Sequence, residues 1–467
     1  MLQYLFMKTS TATILILFFL VASTAFVNFL NNGDKPTAIP PSKQRSGDAA
    51  KGYNYLITGD FLKSGLPYNY FQLLNGKDKY NYLQRTGKNA NVGHDYNVVT
   101  NAEGIDIVIP TCLQCHAQMF NDSLYVGLGN SMMDFSNISK QSNFISNTAV
   151  KAMQTFSPKS YNAVKALLTS FQTVYPSMET EVRGVNAADR LATLLVAHRN
   201  PQTLEWSKEA LLDIPKETIP TDVPAWWMLK KKNAMFYNGF GRGDFGRFLM
   251  LSNILTVKDT AEAAEVFTHF GDVLAFIKSI KAPKYPYSIS KDLAAEGETV
   301  FTNTCSKCHG TYGANETYPN LLVPEHIIQT DSLLFKANYQ NAQFIDWFNK
   351  SWYAQGDYAA KLEPGNGYVA PPLDGIWITA PYLHNGSVPT LEAMLNSKIR
   401  PAIWSRTFNN KDYNFEQVGW NYKTQTAPNG KKYYNTALPG YGNQGHRFGD
   451  KLTDKERRAV IEYLKTL

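Results

Sequence analysis

The sequence predicts a mainly α protein with two domains, each built around a short cysteine–histidine unit and enlarged by long loops and insertions. Three observations support this fold class. Apolar residues recur at helical spacing in several stretches of the chain. All four cysteines fall into two Cys-x-x-Cys-His units that lie far apart in the sequence. A chain of 467 residues with 44% apolar content is long enough for two or three hydrophobic cores.

Residues 1–31 are predicted to be a signal peptide or an uncleaved membrane anchor. After Lys8 comes the apolar run TATILILFFLVASTAFVNFL, which contains the small residues Ser23, Thr24 and Ala25. A charged start, an apolar middle and a small-residue exit are typical of an export signal. The run also approaches the length that crosses a bilayer, so both alternatives remain open. We therefore expect an exported protein, periplasmic or extracellular, which an uncleaved segment would hold at the inner membrane.

Residues 32–52 are rich in Pro, Lys, Gly and Ser and are predicted to form a tether. The net charge of the whole chain is +7, but the basic residues are scattered, and the densest run, Lys230–Lys232, is typical of a solvated face. No basic stripe or nucleic-acid-reading motif accompanies this charge. We therefore expect no nucleic-acid partner.

Residues 53–285 are predicted to form the N-terminal domain. The stretch EGIDIVIPTCLQCHA leads into the first unit with alternating apolar residues, a pattern that indicates a strand. Helical patterns follow around 142–170, 186–198 and 259–281. The proline-punctuated segment APKYPYS then marks the joint to the C-terminal domain.

Residues 286–467 are predicted to form the C-terminal domain around the second unit. The stretch DLAAEGETVFTNTCSKCHG places an amphipathic helix directly before that unit, with Gly297 in its middle. The last residues, LTDKERRAVIEYLKTL, form another predicted helix. Thr453 can cap its start, and Glu456 can complete a capping box.

Three kinds of chemistry place cysteines in such units. Disulfides suit an exported chain with an even number of thiols, but they give no reason for a histidine after each second cysteine. A closed zinc site needs four ligands, and each unit offers three. Covalent haem c uses the whole unit, because two thiols join two vinyl groups and the histidine binds the iron. We therefore predict two haem c groups, held by the thiols of Cys112, Cys115, Cys305 and Cys308 and by the axial ligands His116 and His309.

Several segments resemble a known group of bacterial cytochromes. The stretch GIWITAPYLHNGSVPTLEAML is similar to the signature of dihaem cytochrome c peroxidases and of the related methylamine-dehydrogenase maturation enzyme. The segments KAPKYPYSISKDLAAEGETVFTNTCSKCHGTYG and GNQGHRFGDKLTDKERRAVIEYLKTL are more similar to the rubber-oxygenase-like branch, as is PAWWMLKKKNAMFYNGFGRGDFGRF. The resemblance implies two cytochrome c-like haem domains with long loops and insertions.

The resemblance also implies a second axial ligand and a calcium ion. The rubber-oxygenase-like branch takes the second ligand of its second haem from a GHxFG loop, whose histidine is His446 here. The peroxidases bind calcium through backbone carbonyls of the TAPY loop, where Thr379 and Pro381 stand in this chain. The alternative for this loop is a tight turn that packs under the haem. His384 of the same loop would lie near the second haem.

A tryptophan lies between the two haems in this group of cytochromes, and Trp226 or Trp227 would take that place here. The alternative for both side chains is ordinary core packing.

These features predict an exported dihaem oxidoreductase. The second haem would relay electrons, and the first haem would activate peroxide or dioxygen, as in cytochrome c peroxidases or rubber oxygenases. Expected partners are a small redox protein or quinol-linked donor or acceptor, and a small oxidant. The alternative is a periplasmic electron-transfer cytochrome without a substrate of its own, in which both irons carry two strong ligands.

Overall fold

The computed structural model describes residues 35–141, 147–428 and 430–467. Of these described residues, 40% are helical and 13% are in strands, so the fold is mixed, with helix predominating, rather than mainly α. Apart from the strand before the first unit, the prediction missed the strands, because each has only two to five residues and gives little alternating pattern. The predicted signal or anchor segment, residues 1–31, lies outside the described residues. Within the described ranges, no helix has the length and apolarity to span a membrane.

The helices fall in two groups separated by the proline-punctuated segment. The longer α-helices before it are Ala49–Thr58, Tyr68–Asn75, Asn147–Phe156, Pro158–Val174, Ala188–Ala197, Thr260–Phe267 and Phe270–Ser279. Those after it are Lys291–Thr304, Leu333–Gln340, Ala342–Lys350 and Asp454–Leu464. Short α-helices are Leu113–His116, Phe245–Leu249, Ser306–His309, Glu325–Ile328 and Leu391–Leu395. The 3-10 turns are Gly87–Asn91, Ile138–Gln141, Tyr175–Ser177, Trp226–Lys230, Met250–Leu255, Trp352–Ala354, Ile376–Ile378, Ser397–Ile399 and Phe448–Lys451.

The strands form small antiparallel sheets. Three sheets have three strands: Thr37–Ala38, Leu321–Pro324 and Gly367–Val369; Leu66–Pro67, Asp106–Pro110 and Tyr96–Thr100; and Lys423–Thr424, Ile403–Ser405 and Tyr434–Asn435. Three more are strand pairs: Ala117–Phe120 with Ser123–Val126, Gly241–Gly243 with Ala360–Leu362, and Tyr413–Asn414 with Gly419–Trp420.

The strand predicted before the first unit is confirmed. Asp106–Pro110 pairs with Tyr96–Thr100 in a register that places Val108 opposite Val98. Ile107 and Ile109 of this strand are fully buried, because β-branched side chains pack well on a pleated surface. The strand therefore fixes the position at which the first Cys-x-x-Cys-His unit begins.

The two helices predicted around the second unit are also confirmed, and they cross at a glycine. A Cβ atom on Gly297 would lie 1.9 Å from the carbonyl oxygen of Ala459, so only glycine allows this close approach. Phe301 packs against Tyr463, with 5.2 Å between ring centroids. Thr453 and Glu456 form the predicted capping box at the start of the last helix.

The predicted tether is wrong from residue 37 onward. Thr37 and Ala38 pair with Leu322 and Leu321, and Ile39 is buried. The helix Ala49–Thr58 begins inside the same segment, capped by the Asp48 carboxylate. A composition rich in Pro, Lys, Gly and Ser hid this packing, because two strand residues and one apolar anchor leave almost no pattern.

Each of the two largest hydrophobic cores draws residues from both sides of the predicted domain boundary at 285/286. The first core consists mostly of residues between 56 and 277, but Trp347, Phe348 and Tyr353 complete it. The second core surrounds the crossing helices and contains Phe120 and Trp227 from the first half. The predicted halves are therefore interleaved in space.

Candidate haem-binding sites

Both Cys-x-x-Cys-His units adopt the same one-turn helix. In the first, the His116 amide donates to the Cys112 carbonyl at 3.0 Å; in the second, the His309 amide donates to the Cys305 carbonyl at 3.1 Å. This turn places both thiols and the histidine of a unit next to one another. All four cysteines are free thiols, as covalent haem attachment requires before the thioether bonds form.

The first unit lies among buried partners from two other segments. The Nδ2 of Asn186 donates to the Cys115 sulfur at 3.4 Å, and the Cys112 sulfur lies 4.0 Å from the Ser252 hydroxyl. Burial raises the pKa of the Cys112 thiol to about 11. Burial also raises the pKa of the Cys115 thiol, so both thiols are neutral at ordinary pH.

His116 is oriented from both sides of its ring. The ring stacks on Trp226, with 4.6 Å between centroids and a 19° interplanar angle. Its Nδ1 is buried without a hydrogen-bond partner, and the Pro224 carbonyl lies close to the ring. Burial lowers the pKa of His116 to about 3, so the imidazole is neutral. A neutral imidazole can offer a ring nitrogen to a metal.

His309 of the second unit has the same arrangement in a tighter form. Its Nδ1 lies 2.9 Å from the Pro371 carbonyl, which makes Nδ1 the protonated nitrogen and Nε2 the free one. Burial lowers the pKa of His309, so this ring is neutral as well. The Tyr312 hydroxyl donates to the His309 carbonyl at 3.1 Å and accepts from the Leu373 amide at 2.6 Å.

His446 faces His309 across a gap that suits an iron atom. The two ring centroids lie 6.1 Å apart. With metal–nitrogen bonds of about 2 Å and about 1.1 Å from each nitrogen to its ring centre, the centres of two axial imidazoles would lie roughly 6.2 Å apart. The spacing therefore matches the predicted pair of axial ligands, although ligation itself stays a prediction.

The loop that carries His446 is held in an unusual backbone conformation. His446 has φ +45°, and its amide donates to the Ile328 carbonyl at 2.7 Å. The Arg400 guanidinium donates to the carbonyls of Asn443, Gly445 and His446 at 2.7 to 3.1 Å. The Nδ1 of His446 is buried without a partner, and burial lowers the pKa of this histidine to about 3. A strained backbone and an unpaired buried nitrogen are features that cluster at functional sites.

Trp226 and Trp227 point to different cores. Trp226 lies in the first core against His116, whereas Trp227 lies in the second core and donates from Nε1 to the Asp374 carbonyl at 2.8 Å. Asp374 follows Pro371 in the same short segment, and the Pro371 carbonyl contacts His309. The tryptophan pair thus connects the surroundings of the two predicted axial histidines.

His384 is packed and hydrogen-bonded. Its Nε2 lies 3.0 Å from the Tyr368 hydroxyl, and the two rings stack at 4.2 Å. Burial lowers the pKa of His384 to about 3. The structure places this residue in a buried polar cluster, so its contacts support a structural role, and its nearness to the second haem stays a prediction.

Calcium at the backbone carbonyls of Thr379 and Pro381, which the resemblance implies, stays a prediction. Calcium takes six to eight oxygen ligands, usually with carboxylates among them. The carbonyl of Ala380 between them accepts from Trp420 Nε1 at 2.8 Å. In the described part of the chain, no group of three or more His, Cys, Asp or Glu side chains could hold a metal ion.

Several residues that orient the predicted ligands were missed from the sequence. The carbonyls of Pro224 and Pro371 orient His116 and His309, and Arg400 holds the His446 loop. Backbone carbonyls carry no residue-type signal, and Arg400 acts only through carbonyls. The prolines that follow each other at 371 and 372 were the one visible cue, since proline fixes the backbone that presents its carbonyl.

Comparison with known proteins gives a match in the second half of the chain. Residues 367–405 match a family described as RoxA-like, cytochrome c-like. This range contains Pro371, Asp374, the Thr379–Pro381 loop and His384. Both Cys-x-x-Cys-His units and His446 lie outside it.

Two relatives come from Sinorhizobium fredii (strain NBRC 101917 / NGR234). The uncharacterized protein y4iJ is 44% identical over 21% of this chain and 18% of its own length. The uncharacterized protein y4iM is 26% identical over 58% of this chain and 69% of its own length. The chain thus spans less than a fifth of the first relative. Together with the two Cys-x-x-Cys-His units, the match over residues 367–405 supports a RoxA-like cytochrome c family with covalently bound haem c.

Proposed function

We propose that the protein is an exported dihaem oxidoreductase in which the second unit relays electrons and the first unit activates peroxide or dioxygen. The family match supports a c-type cytochrome oxidoreductase, and RoxA-like cytochromes are related to haem-dependent oxygenases. Haem c bound at the two units would supply one-electron transfer and, at an iron with an open face, activation of a small oxygen species.

One asymmetry carries this assignment. His309 has a second imidazole, His446, at the spacing of an axial pair. Among the described residues, the ring contact of His116 is with Trp226, and two other histidines of the first half have ring contacts away from this unit. His198 stacks on Trp206, and His269 stacks on Tyr55. An iron with two axial histidines at the second unit would relay electrons. An iron with one open coordination position at the first unit would react with the oxygen species.

The chain provides a continuous connection between the two units. His116 stacks on Trp226, Trp227 follows it in the chain, and Trp227 Nε1 contacts the Asp374 carbonyl. From Asp374 the backbone leads to Pro371, whose carbonyl contacts Nδ1 of His309. Covalent bonds and short hydrogen bonds between two aromatic rings favour electron passage, so we assign this segment as the electron route.

Buried aromatic side chains would keep water from the first unit. Phe240, Phe245 and Phe248 belong to the same core as Trp226, and each is at most 6% exposed. A dry, apolar surrounding strengthens electrostatic effects at the reacting centre and prevents side reactions. The electron partner we propose is a small redox protein or a quinol-linked donor, and the oxidant is a small oxygen species.

Electron paramagnetic resonance of the as-isolated protein tests the proposal. The protein is produced with haem-maturation machinery, and spectra are recorded with and without cyanide. We expect one low-spin ferric haem that ignores cyanide and one high-spin haem that binds it. Two low-spin haems that both refuse cyanide would make the protein an electron-transfer cytochrome. If the measured mass of the purified protein equals that of the polypeptide without haem, the assignment of both units as haem-binding sites is overturned.

A further inference from the structure

The loop Thr379–Pro381 lies at a positively charged junction between the two halves of the chain. A cavity of about 10 Å³ beside it is lined by Pro381 and Gly386 and by three basic side chains, Arg183, Arg406 and Lys432. Aspartate and glutamate are absent from this lining. The cavity holds about one water-sized group, and its charge opposes that of a calcium site.

Arg406 contacts segments on both sides of this junction. Its Nη2 donates to the Ser131 carbonyl, next to Asn130, whose amide donates to the Cys115 carbonyl at 2.8 Å. Its guanidinium lies over Trp420, with 4.7 Å to the ring centroid, and Trp420 Nε1 donates to the Ala380 carbonyl. Arg406 thus contacts the loop after the first unit and, through Trp420, the Thr379–Pro381 loop.

The surroundings of Arg406 are shaped around its guanidinium. Gly184 has φ +95°, and a Cβ atom there would lie 3.1 Å from Arg406 Nη2 and 3.0 Å from the Ser131 carbonyl oxygen. Phe408 covers the guanidinium, with 4.4 Å to the ring centroid. The Nη1 of Arg406 is buried without a hydrogen-bond partner, so the group keeps a donor free in the junction.

The nearby acidic group is Asp222. It lies next to the same loop, because its Cβ is 4.0 Å from a Cβ atom built on Gly386, and its amide donates to the His384 carbonyl at 2.7 Å. Its Oδ2 accepts from the Tyr237 hydroxyl at 3.0 Å. Burial raises the pKa of Asp222 to about 7, and the charge of Arg406 acts in the opposite direction. One carboxyl near three basic side chains leaves the junction with a net positive charge, which disfavours a divalent cation.

We propose that the Arg406 guanidinium supplies, between the two halves of the chain, the positive charge that the resemblance to peroxidases assigns to calcium. The protein then needs no divalent cation at this junction. Arginine is a positioning residue here: it holds the Ser131 segment and the Trp420 indole together through delocalised charge and several donors.

Metal analysis and thermal unfolding of the holoprotein test this proposal. After dialysis against a calcium buffer and then plain buffer, we expect far less than one calcium per chain, and excess EGTA should leave the melting midpoint unchanged. Arg406→Ala should lower the midpoint, and millimolar methylguanidinium should restore part of it, whereas calcium should not. The exposed Arg458→Ala serves as the control and should melt as the unchanged protein does.

Opposite results overturn the proposal. One tightly held calcium per chain, or a lower midpoint in EGTA, would show that a metal holds the junction after all. Rescue of Arg406→Ala by calcium, or an unchanged midpoint in that variant, would show that the guanidinium is dispensable. If Arg406→Ala does not fold, calcium content and the EGTA response of the unchanged protein decide alone.

Discussion

At the scale of single residues, the predicted ligands differ in how the chain prepares them. Nδ1 of His309 is satisfied by a proline carbonyl, whereas Nδ1 of His446 is buried and unpaired. An unpaired buried imidazole nitrogen costs about 1–3 kcal/mol, so binding of the opposite nitrogen by a metal is a reason to keep the ring there. The positive φ of His446 adds strain of about 1–3 kcal/mol that the Arg400 contacts offset.

The first prediction concerns His446→Ala. Removal of this imidazole should convert the second haem to a high-spin state and leave the spectrum of the first haem unchanged. Electron paramagnetic resonance of the purified variant measures the spin states of both haems. His198→Ala is the matched control, because His198 contacts Trp206 and the Ser207 carbonyl rather than either unit. A change at the first haem would show that His446 serves the other iron.

The second prediction concerns pH and His384. Its pKa is about 3 in the folded chain and 6.5 when unperturbed. The unfolded chain therefore binds more protons between these values, so the free energy of unfolding falls as the pH drops from about 6.5 to 3. His384→Gln should make this fall shallower, as measured by denaturant titration across that range. An equally steep fall in the variant would mean that other groups carry the acid sensitivity.

At the scale of elements, helix crossings and short segments set the distances between sites. The helix Lys291–Thr304 crosses Asp454–Leu464 at Gly297, which brings the second unit against the C-terminal helix. The segment from Pro371 to Asp374 likewise carries two contacts, one to His309 and one to Trp227. The helix crossing at Gly297 thus positions the second unit, and the Pro371 carbonyl positions the ring of His309 within it.

The third prediction concerns Gly297→Ala. Alanine favours a helix over glycine by about 1 kcal/mol, but the added methyl would meet the Ala459 carbonyl. We expect a net loss of about 1–3 kcal/mol in the free energy of unfolding, as in other overpacked cores. Ala295→Gly, on the exposed face of the same helix, measures the difference in helix propensity between alanine and glycine without a packing contribution. A stabilised Gly297→Ala variant would contradict the close crossing.

The fourth prediction concerns Trp227→Phe. Loss of the indole N–H removes its hydrogen bond to Asp374 and should cost about 1 kcal/mol of stability. Electron transfer between the haems, followed by stopped-flow reduction, should slow down. Trp347→Phe loses a similar bond to the Arg199 carbonyl in the first core and should keep the wild-type rate. Equal electron-transfer rates in the two variants would show that the electron route between the haems does not pass through Trp227.

At the scale of the whole molecule, the sequence predicted the units and helices well and the packing between them poorly. The strand before Cys112, the helix before Cys305 and the capped last helix were all visible, since periodicity and capping are local signals. The packing of Trp347 and Phe348 into the first core could not be predicted, because such contacts join segments that are distant in the sequence. The same holds for the proline carbonyls that orient the axial histidines.

The fifth prediction concerns the N-terminal segment. Removal of residues 35–48 loses the strand pairing at Thr37 and the burial of Ile39, which alone is worth about 1.5–3 kcal/mol. It also loses the stacking of Arg45 on Phe267. The shortened chain should melt at a lower temperature than one that begins at residue 35. Equal melting would restore the interpretation of this segment as a free tether.

The interleaved cores bear on any attempt to divide this cytochrome. A cut at the predicted joint would give one fragment without Trp347, Phe348 and Tyr353 and another without Phe120 and Trp227. Neither fragment could shield its apolar interior from solvent. The two fragments would therefore have to be produced together and reassociate, each covering the apolar side chains that the other exposes.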